Sequence, residues 1–396
     1  MQQWQKNLYI LWLGAFSSSM CFTLISPFLP LFMQELNVGK GVEAWAGVSI
    51  SVSFLMNAIM SPVWGSLADR YGRKVMVIRA GTAQAICYSL QFFVTDPYQF
   101  VALRVLNGTF SGMVPSCLAL AATNTPEEDL GYSLGVLQTA QAAGSICGPL
   151  FGGIAGQYLG HRMTFLGAGL WLLFVTIIIW LTVRETAPRV QGGKMHIISD
   201  LKVAFANRML RTVLIVTMFV QASLTVLQPV LSLQVAKLGG AGNASILAGL
   251  IYSLAGFAQI IAAPLWARRA RRTGFRPVYI TGLLGATLFN APMAFIRNLY
   301  VFGTLRFATG LATAGSSLSE NALTAKAVNE EFRGRAFGIL ASARQMGQML
   351  GPLMGGITGS SLGLEATFIF TTGVLLVTSA AAMRFLPRET AAEAHG

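Results

Sequence analysis

Twelve runs of mainly apolar residues divide this chain, each close to the twenty or so residues a helix needs to cross a bilayer. They lie near residues 7–34, 45–67, 75–95, 99–122, 131–156 and 163–183, then 210–235, 244–266, 277–296, 299–324, 335–358 and 365–386. In lipid only a helix or a closed barrel satisfies its own backbone polar groups, so runs of this length predict an all-α integral membrane protein. Of the 396 residues, only 11% are charged, under half the share of about 25% in soluble domains. So few charges cannot clothe a soluble enzyme or keep a disordered chain in water. The first run exceeds a signal-peptide core and lacks a small-residue cleavage site after it, so it reads as a retained span. Cys21, Cys87, Cys117 and Cys147 all fall inside apolar runs with no CxxC pair, which reads as buried thiols. No metal or cofactor is expected.

The net charge of +13 would suggest a nucleic-acid partner in a soluble chain, but its placement argues otherwise. Twelve spans put both termini on one side. Of the 28 Lys and Arg residues, 21 fall on that side and 4 (Lys40, Arg162, Lys237, Arg297) on the other. The remaining 3, Arg104, Arg306 and Arg344, lie within spans. The basic side is the cytoplasmic one, so the charge reports topology and no nucleic acid is needed to explain it.

The chain also repeats itself. At a separation of 202 positions Pro27 meets Pro229, Ala46-Gly47 meets Ala248-Gly249, Asn57 meets Gln259, and Arg104 meets Arg306. At 203 positions Gly144, Gly148-Pro149 and Gly152-Gly153 meet Gly347, Gly351-Pro352 and Gly355-Gly356. The register predicts two pseudo-symmetric six-helix bundles, residues 1–183 and 210–396, of the same orientation. A cytoplasmic linker over 184–209 would join them, with a short amphipathic helix in the stretch 194–211, where His196 reads as a surface residue. Parallel repeats of this kind belong to secondary transporters that rock about a central site.

Four strings carry more specific information. Between the second and third spans lie Gly65, Asp69, Arg70, Gly72, Arg73 and Lys74, small residues for a tight turn with an acid among bases. Span five carries Gly144, Gly148, Pro149, Gly152 and Gly153, glycines four apart that let another backbone approach. Span four holds Arg104 with Gly108 and Gly112, and span one ends in Pro27-Phe28-Leu29-Pro30. Together they resemble the signature loop, antiporter motif and intramembrane-arginine motif of the major facilitator superfamily. The drug:proton antiporter family of bacterial twelve-helix multidrug exporters is the branch they resemble. The resemblance implies a monomeric, multi-pass protein of the bacterial inner membrane with both termini cytoplasmic. It also implies small-molecule efflux coupled to protons, with the glycine row as antiporter motif; the same row also reads simply as a packing face.

The repeat breaks at the signature loop, where Asp69 maps to Arg271 and the second copy has no acid. Pseudo-symmetry places each loop near the start of span five or eleven of the opposite half. Two cytoplasmic latches are therefore expected, Asp69 with Arg333 or Arg335, and the 268–276 bases with the 127–129 acids. Solvated charge is the alternative for each.

Charged groups inside spans are costly and so are candidates for function. Arg104 and Arg306, as symmetry mates, read either as binding or coupling groups or as braces within their own bundles. Arg344 sits near the middle of span eleven, and its mate is the neutral Gln141. A lone planar guanidinium at that depth suits an oxyanion, so Arg344 reads as a substrate anchor, with a partner carbonyl or a water-filled cleft as the alternative. Glu320, the one acid in a span, reads either as a proton carrier or as an interfacial acid near Lys326. Span one has no acid before Glu35, a departure from cation-exporting relatives. An anionic or zwitterionic substrate is therefore expected, with Asn57, Gln141, Gln228 and Gln259 completing the site.

The sequence thus predicts a non-enzymatic, proton-coupled exporter of small amphipathic molecules, either a broad drug exporter or a dedicated exporter of an acidic metabolite such as a citrate/hydroxamate siderophore. A transport-inactive sensor or scaffold is the alternative of another class.

Overall fold

The computed structural model describes residues 2–185 and 197–386, and all regular structure among them is helical. The first helices are α1 (Gln3–Leu24), α2 (Leu29–Glu35), α3 (Val42–Tyr71), α4 (Arg73–Gln91), α5 (Pro97–Phe110), α6 (Met113–Asn124), α7 (Leu130–Tyr158) and α8 (His161–Thr182). Then follow α9 (Ile197–Ala206), α10 (Arg208–Val226), α11 (Gln228–Gly239), α12 (Ala244–Thr273), α13 (Phe275–Asn290), α14 (Leu299–Lys326), α15 (Glu330–Leu362) and α16 (Leu364–Phe385). His196 lies outside the described residues.

Two of the breaks have clear chemical causes. The turn between α1 and α2 carries Pro27, which cannot donate to the carbonyl a helical turn behind it. The run expected as one span over 99–122 is interrupted between α5 and α6, where Gly112 takes φ of +116°. Only glycine adopts that conformation without strain. Its repeat mate is Ala314, and α14 runs through that position unbroken.

Among the described residues, seven segments are long and apolar enough to cross a membrane. These are α1, most of α3, α5 with α6, α8, α10 with α11, α12 and α16. Helix α13, at 16 residues, is too short for that set, and α4, α7, α14 and α15 fall outside it because small and polar residues occupy many of their positions. Large apolar side chains such as Phe174, Leu181, Leu265, Leu288 and Val377 are exposed, as a lipid-facing surface requires. The fold is an all-α, multi-helix integral-membrane architecture.

The chain forms two compact units. One comprises residues 1–39, 52–194 and 241–253, the other 40–51, 195–240 and 254–396. In the first, α7 packs on α1 through its glycine row. A methyl group added at Gly148 would collide with Thr23 and the Met20 carbonyl, and one at Gly152 with the Leu24 carbonyl. The start of α12 joins the same unit, with Gly249 against Gly153 and the Pro149 carbonyl. The second unit repeats the pattern: Gly347, Gly351 and Gly355 of α15 press on Met218, Ala222 and Val226 of α10. There the start of α3 packs on α15, with Gly47 against Gly356 and the Pro352 carbonyl.

The same helix supplies its own control, since a methyl at Gly135 of α7 would meet nothing. Gly152→Ala is expected to destabilise by about 1–3 kcal/mol through overpacking. Gly135→Ala should be neutral or gain up to about 1 kcal/mol from reduced backbone freedom. Apparent melting temperatures in detergent check both, and equal responses would remove the packing role.

Candidate functional site

The second unit brings together the two charges that the sequence treated separately. Arg344 of α15 donates from Nε to Glu320 Oε2 of α14 at 2.9 Å, and from Nη2 to Asn321 Oδ1 at 3.0 Å. The Tyr279 hydroxyl of α13 donates to Glu320 Oε1 at 3.3 Å. Both carboxylate oxygens are thus engaged, one by a cation and one by a phenol. The Glu320 side chain is 0% exposed and that of Arg344 27% exposed, so only the guanidinium side of the pair can be reached from outside.

This arrangement corrects two expectations. Arg344 is not a lone guanidinium, because Glu320 neutralises it. Nor is Glu320 an interfacial acid beside Lys326, whose ammonium instead lies 5.4 Å from the Phe275 ring centre. Arg344 turns toward α14, whereas Gly347, one turn further along α15, faces α10. Tyr279 and Asn321 were missed by sequence reasoning. The pairing itself left a signal: Glu320 maps to Leu118 and Arg344 to Gln141 in the repeat. Two opposite charges without charged mates, both in the costly interior, belong together.

In the first unit, Arg104 of α5 is 3% exposed and its Nε and Nη1 have no hydrogen-bond partner. It lies beside Tyr88 and Cys87 of α4, with the Phe100 ring centre 5.8 Å away. Asn107 and the Tyr88 hydroxyl are likewise buried with unspent hydrogen-bonding capacity. The Ser53 hydroxyl ties α3 to the Arg104 carbonyl at 3.1 Å. A buried guanidinium with free donors can receive an acceptor group or ordered water. Its repeat mate Arg306 is only half-buried, so the two positions are not equivalent.

The other polar candidates are dispersed. Gln259 of α12 donates to the Thr313 hydroxyl at 3.3 Å, in the unit that holds Glu320. Asn57 on α3 and Gln228 at the start of α11 are half-buried, and Gln141 on α7 is exposed. Among the described residues, no group of His, Cys, Asp or Glu is arranged to hold a metal.

The signature loop is built around an unexpected acid. Glu185, just beyond α8, accepts from the Arg73 and Lys74 backbone N–H groups at 2.8 and 3.2 Å. The carboxylate thereby caps the start of α4, where the helix dipole favours negative charge. Arg73 donates to the Ala119 carbonyl at 2.7 Å and Lys74 to the Trp180 carbonyl at 2.8 Å. Gly72 turns the chain with φ of +103°, while Gly65 and Arg70 are exposed at the end of α3. The Asp69 side chain lies outside what the structure describes. Of its expected partners, Arg335 pairs with Asp200 of α9 at 2.9 Å, and Arg333 lies 3.6 Å from Glu330.

Comparison with known proteins gives this architecture its class. The profile of the Major Facilitator Superfamily matches residues 11–248 and 213–395. Multidrug resistance protein MdtG of Escherichia fergusonii is 33% identical over 377 residues, covering 94% of this chain and 92% of its own. MdtG of Citrobacter koseri is likewise 33% identical, over 94% and 93% of the two chains. Among solved structures, a bacterial homologue of the lysosomal transporter Spinster superposes with a TM-score of 0.82 at 16% identity, over 97% of each chain. A D-xylose–proton symporter gives a TM-score of 0.80 at 14% identity, over 98% of each.

The fold and the charge-bearing helices thus define a secondary active small-molecule transporter and not an enzyme. The chain belongs to the Major Facilitator Superfamily and, within it, to the same drug:proton antiporter family as MdtG. It is a multi-pass protein of the bacterial inner membrane.

Removing one partner of a buried ion pair costs about 3–5 kcal/mol, because the other charge is stranded. Arg344→Gln should therefore be the most destabilising variant at the pair. Glu320→Gln should cost less, since Arg344 can reach water, and the double variant should recover part of the loss. Melting temperatures of the three variants form the cycle, and a double variant no better than Arg344→Gln would count against the pairing.

Proposed function

We propose that this transporter exports small amphipathic molecules in exchange for protons, with the Glu320–Arg344 pair as the coupling element. The observation that carries the reading is the fully buried carboxylate held by one partly accessible guanidinium. Antiport requires that proton and substrate exclude each other. A zwitterion meets that requirement here, its cationic group replacing Arg344 at Glu320 and its acidic group taking Arg344. A simple anion behaves differently, since it gains Arg344 only once Glu320 is protonated, and proton and anion would then travel together. Among the anionic or zwitterionic solutes suggested by the sequence, the pair therefore favours zwitterions. Drug efflux is the broader reading, supported by relatives named as multidrug resistance proteins.

The reading assigns twelve spans to two six-helix bundles, 1–183 and 210–396, joined by a linker over 184–209, with both termini cytoplasmic. Arg104 contributes substrate binding and proton coupling through its unspent donors. Asn57, Gln141, Gln228 and Gln259 are assigned to substrate binding. Gly65, Asp69, Arg70, Gly72, Arg73, Arg333 and Arg335 are assigned to a cytoplasmic gate. Gly144, Gly148, Pro149, Gly152 and Gly153 supply the antiporter-like motif. A dedicated exporter of an acidic metabolite is the second reading, and the buried Arg104 guanidinium is the observation that favours it.

Everted vesicles with an acidified lumen, read by a pH-sensitive dye, test the proposal. Zwitterionic amphiphiles should drive proton release, and Glu320→Gln should abolish it. Carboxylates without an amine should release no protons. Release driven by such carboxylates that persists in Glu320→Gln would transfer the coupling to another group.

A further inference from the structure

A continuous groove runs down one face of the second unit between α10, α15 and α16, and its two ends differ sharply in chemistry. At one end a cavity of about 650 Å³ is lined by Arg208, Arg276, Arg384 and Phe385, among others. It shares Arg208 and Phe385 with a second cavity of about 570 Å³ that also holds Arg211. That second cavity shares Ile215, Val216 and Ala381 with a third, of about 430 Å³, which continues past Phe219, Met354, Phe370 and Gly373. The third is lined almost wholly by apolar groups. A cationic head therefore opens into a hydrocarbon-lined slot.

The dimensions match one molecule type. Arg208 to Phe219 spans eleven residues of α10, or about 16 Å of helix. That is close to half of the ~30 Å hydrocarbon core, the depth of one leaflet. The arginines stand at the ends of α10, α13 and α16 that positive-inside placement assigns to the cytoplasm. Among the described residues, none of Arg208, Arg211 and Arg384 has a carboxylate partner. Arg276 is braced by the Met383 carbonyl at 2.6 Å, which fixes its position at the rim.

We infer that this groove is a binding site for an anionic diacyl phospholipid of the cytoplasmic leaflet, of the phosphatidylglycerol type. Its phosphate sits among Arg208, Arg211, Arg276 and Arg384, and one acyl chain lies along Ile215, Phe219 and Phe370. Basic pockets between spans on the cytoplasmic side are suited to such head groups, each arginine adding to the attraction. A zwitterionic lipid such as phosphatidylethanolamine fills the slot equally well and brings the same phosphate, but its ammonium is repelled by the arginines and cancels the net charge that draws the anionic lipid.

Native mass spectrometry of the delipidated full chain tests this, with phosphatidylglycerol and phosphatidylethanolamine of identical acyl chains as probes. Phosphatidylglycerol should bind at least about tenfold more tightly, and the triple variant Arg208→Gln/Arg211→Gln/Arg384→Gln should reduce it to the level of phosphatidylethanolamine. A second variant reads the other end of the groove. A side chain added at Gly373 meets nothing within 4 Å, so Gly373→Leu projects into the slot without disturbing the helix. It should weaken the long-chain lipid without lowering the melting temperature of the delipidated protein. Equal binding of the two lipids would make the groove ordinary lipid annulus and overturn the proposal. So would displacement of phosphatidylglycerol by millimolar inorganic phosphate, or a dimer that excludes the lipid.

Discussion

Close approach of helix backbones is the constraint on which this structure depends. Lipid tails are as apolar as leucine, so burying apolar surface gives helices in a membrane little reason to associate. What remains is dispersion between well-fitted surfaces, which grows as backbones draw together. Glycine rows supply that fit between α1 and α7, and again between α10 and α15. Thr23 adds a hydrogen bond from its hydroxyl to the Gly144 carbonyl at 3.3 Å across the first of these contacts. The row that resembles an antiporter motif is therefore at once the packing face of its own unit. Gly153 and Gly356, one residue beyond each row, receive the starts of α12 and α3.

On that repeated scaffold some polar contacts recur, Trp64 to the Thr109 carbonyl and Trp266 to the Leu311 carbonyl, each at 2.7 Å, but the charged groups do not match. Arg104 and Arg306 are mates in the sequence repeat, yet one is buried and the other half-buried. Among the described residues the Glu320–Arg344 pair exists only in the second unit, and its repeat mates in the first are Leu118 and Gln141. An ion pair inside the membrane adds little net stability, because desolvation offsets most of the attraction. A packing role would be met equally well by apolar residues. Its presence in one unit alone, on helices joined by a short turn, fits a group kept for what its protonation does.

Much of the fold was legible because hydropathy and the 202-residue register are one-dimensional signals. The apolar segments, the positions of the glycine rows and the candidate charges follow from them, but the breaks within three segments, α1–α2, α5–α6 and α10–α11, do not. Gly112 illustrates what does not. In an apolar run a packing glycine and a helix-breaking glycine look alike, and only the backbone angle of +116° separates them. Its non-glycine mate Ala314 was the available clue. The Glu320–Arg344 contact joins residues 24 positions apart on adjacent helices, and span-by-span reading considers each alone. Glu185 escaped notice because it lies past the last apolar residue of α8, where acids normally face water.

The pairing changes what the charge inventory means. Counted singly, three arginines within spans against one acid suggest a preference for anions. Counted as the structure joins them, Glu320 and Arg344 cancel, and the excess resides in Arg104 and Arg306. Charge preference at the pair then depends on protonation rather than being fixed. In the proposed coupling, an ionised Glu320 holds its guanidinium and a protonated one releases it, so the same two side chains would present different chemistry in each state. Direction of coupling follows from which of those states a substrate competes with. A substrate that must displace the proton is exchanged for it, and one that needs the proton bound travels with it.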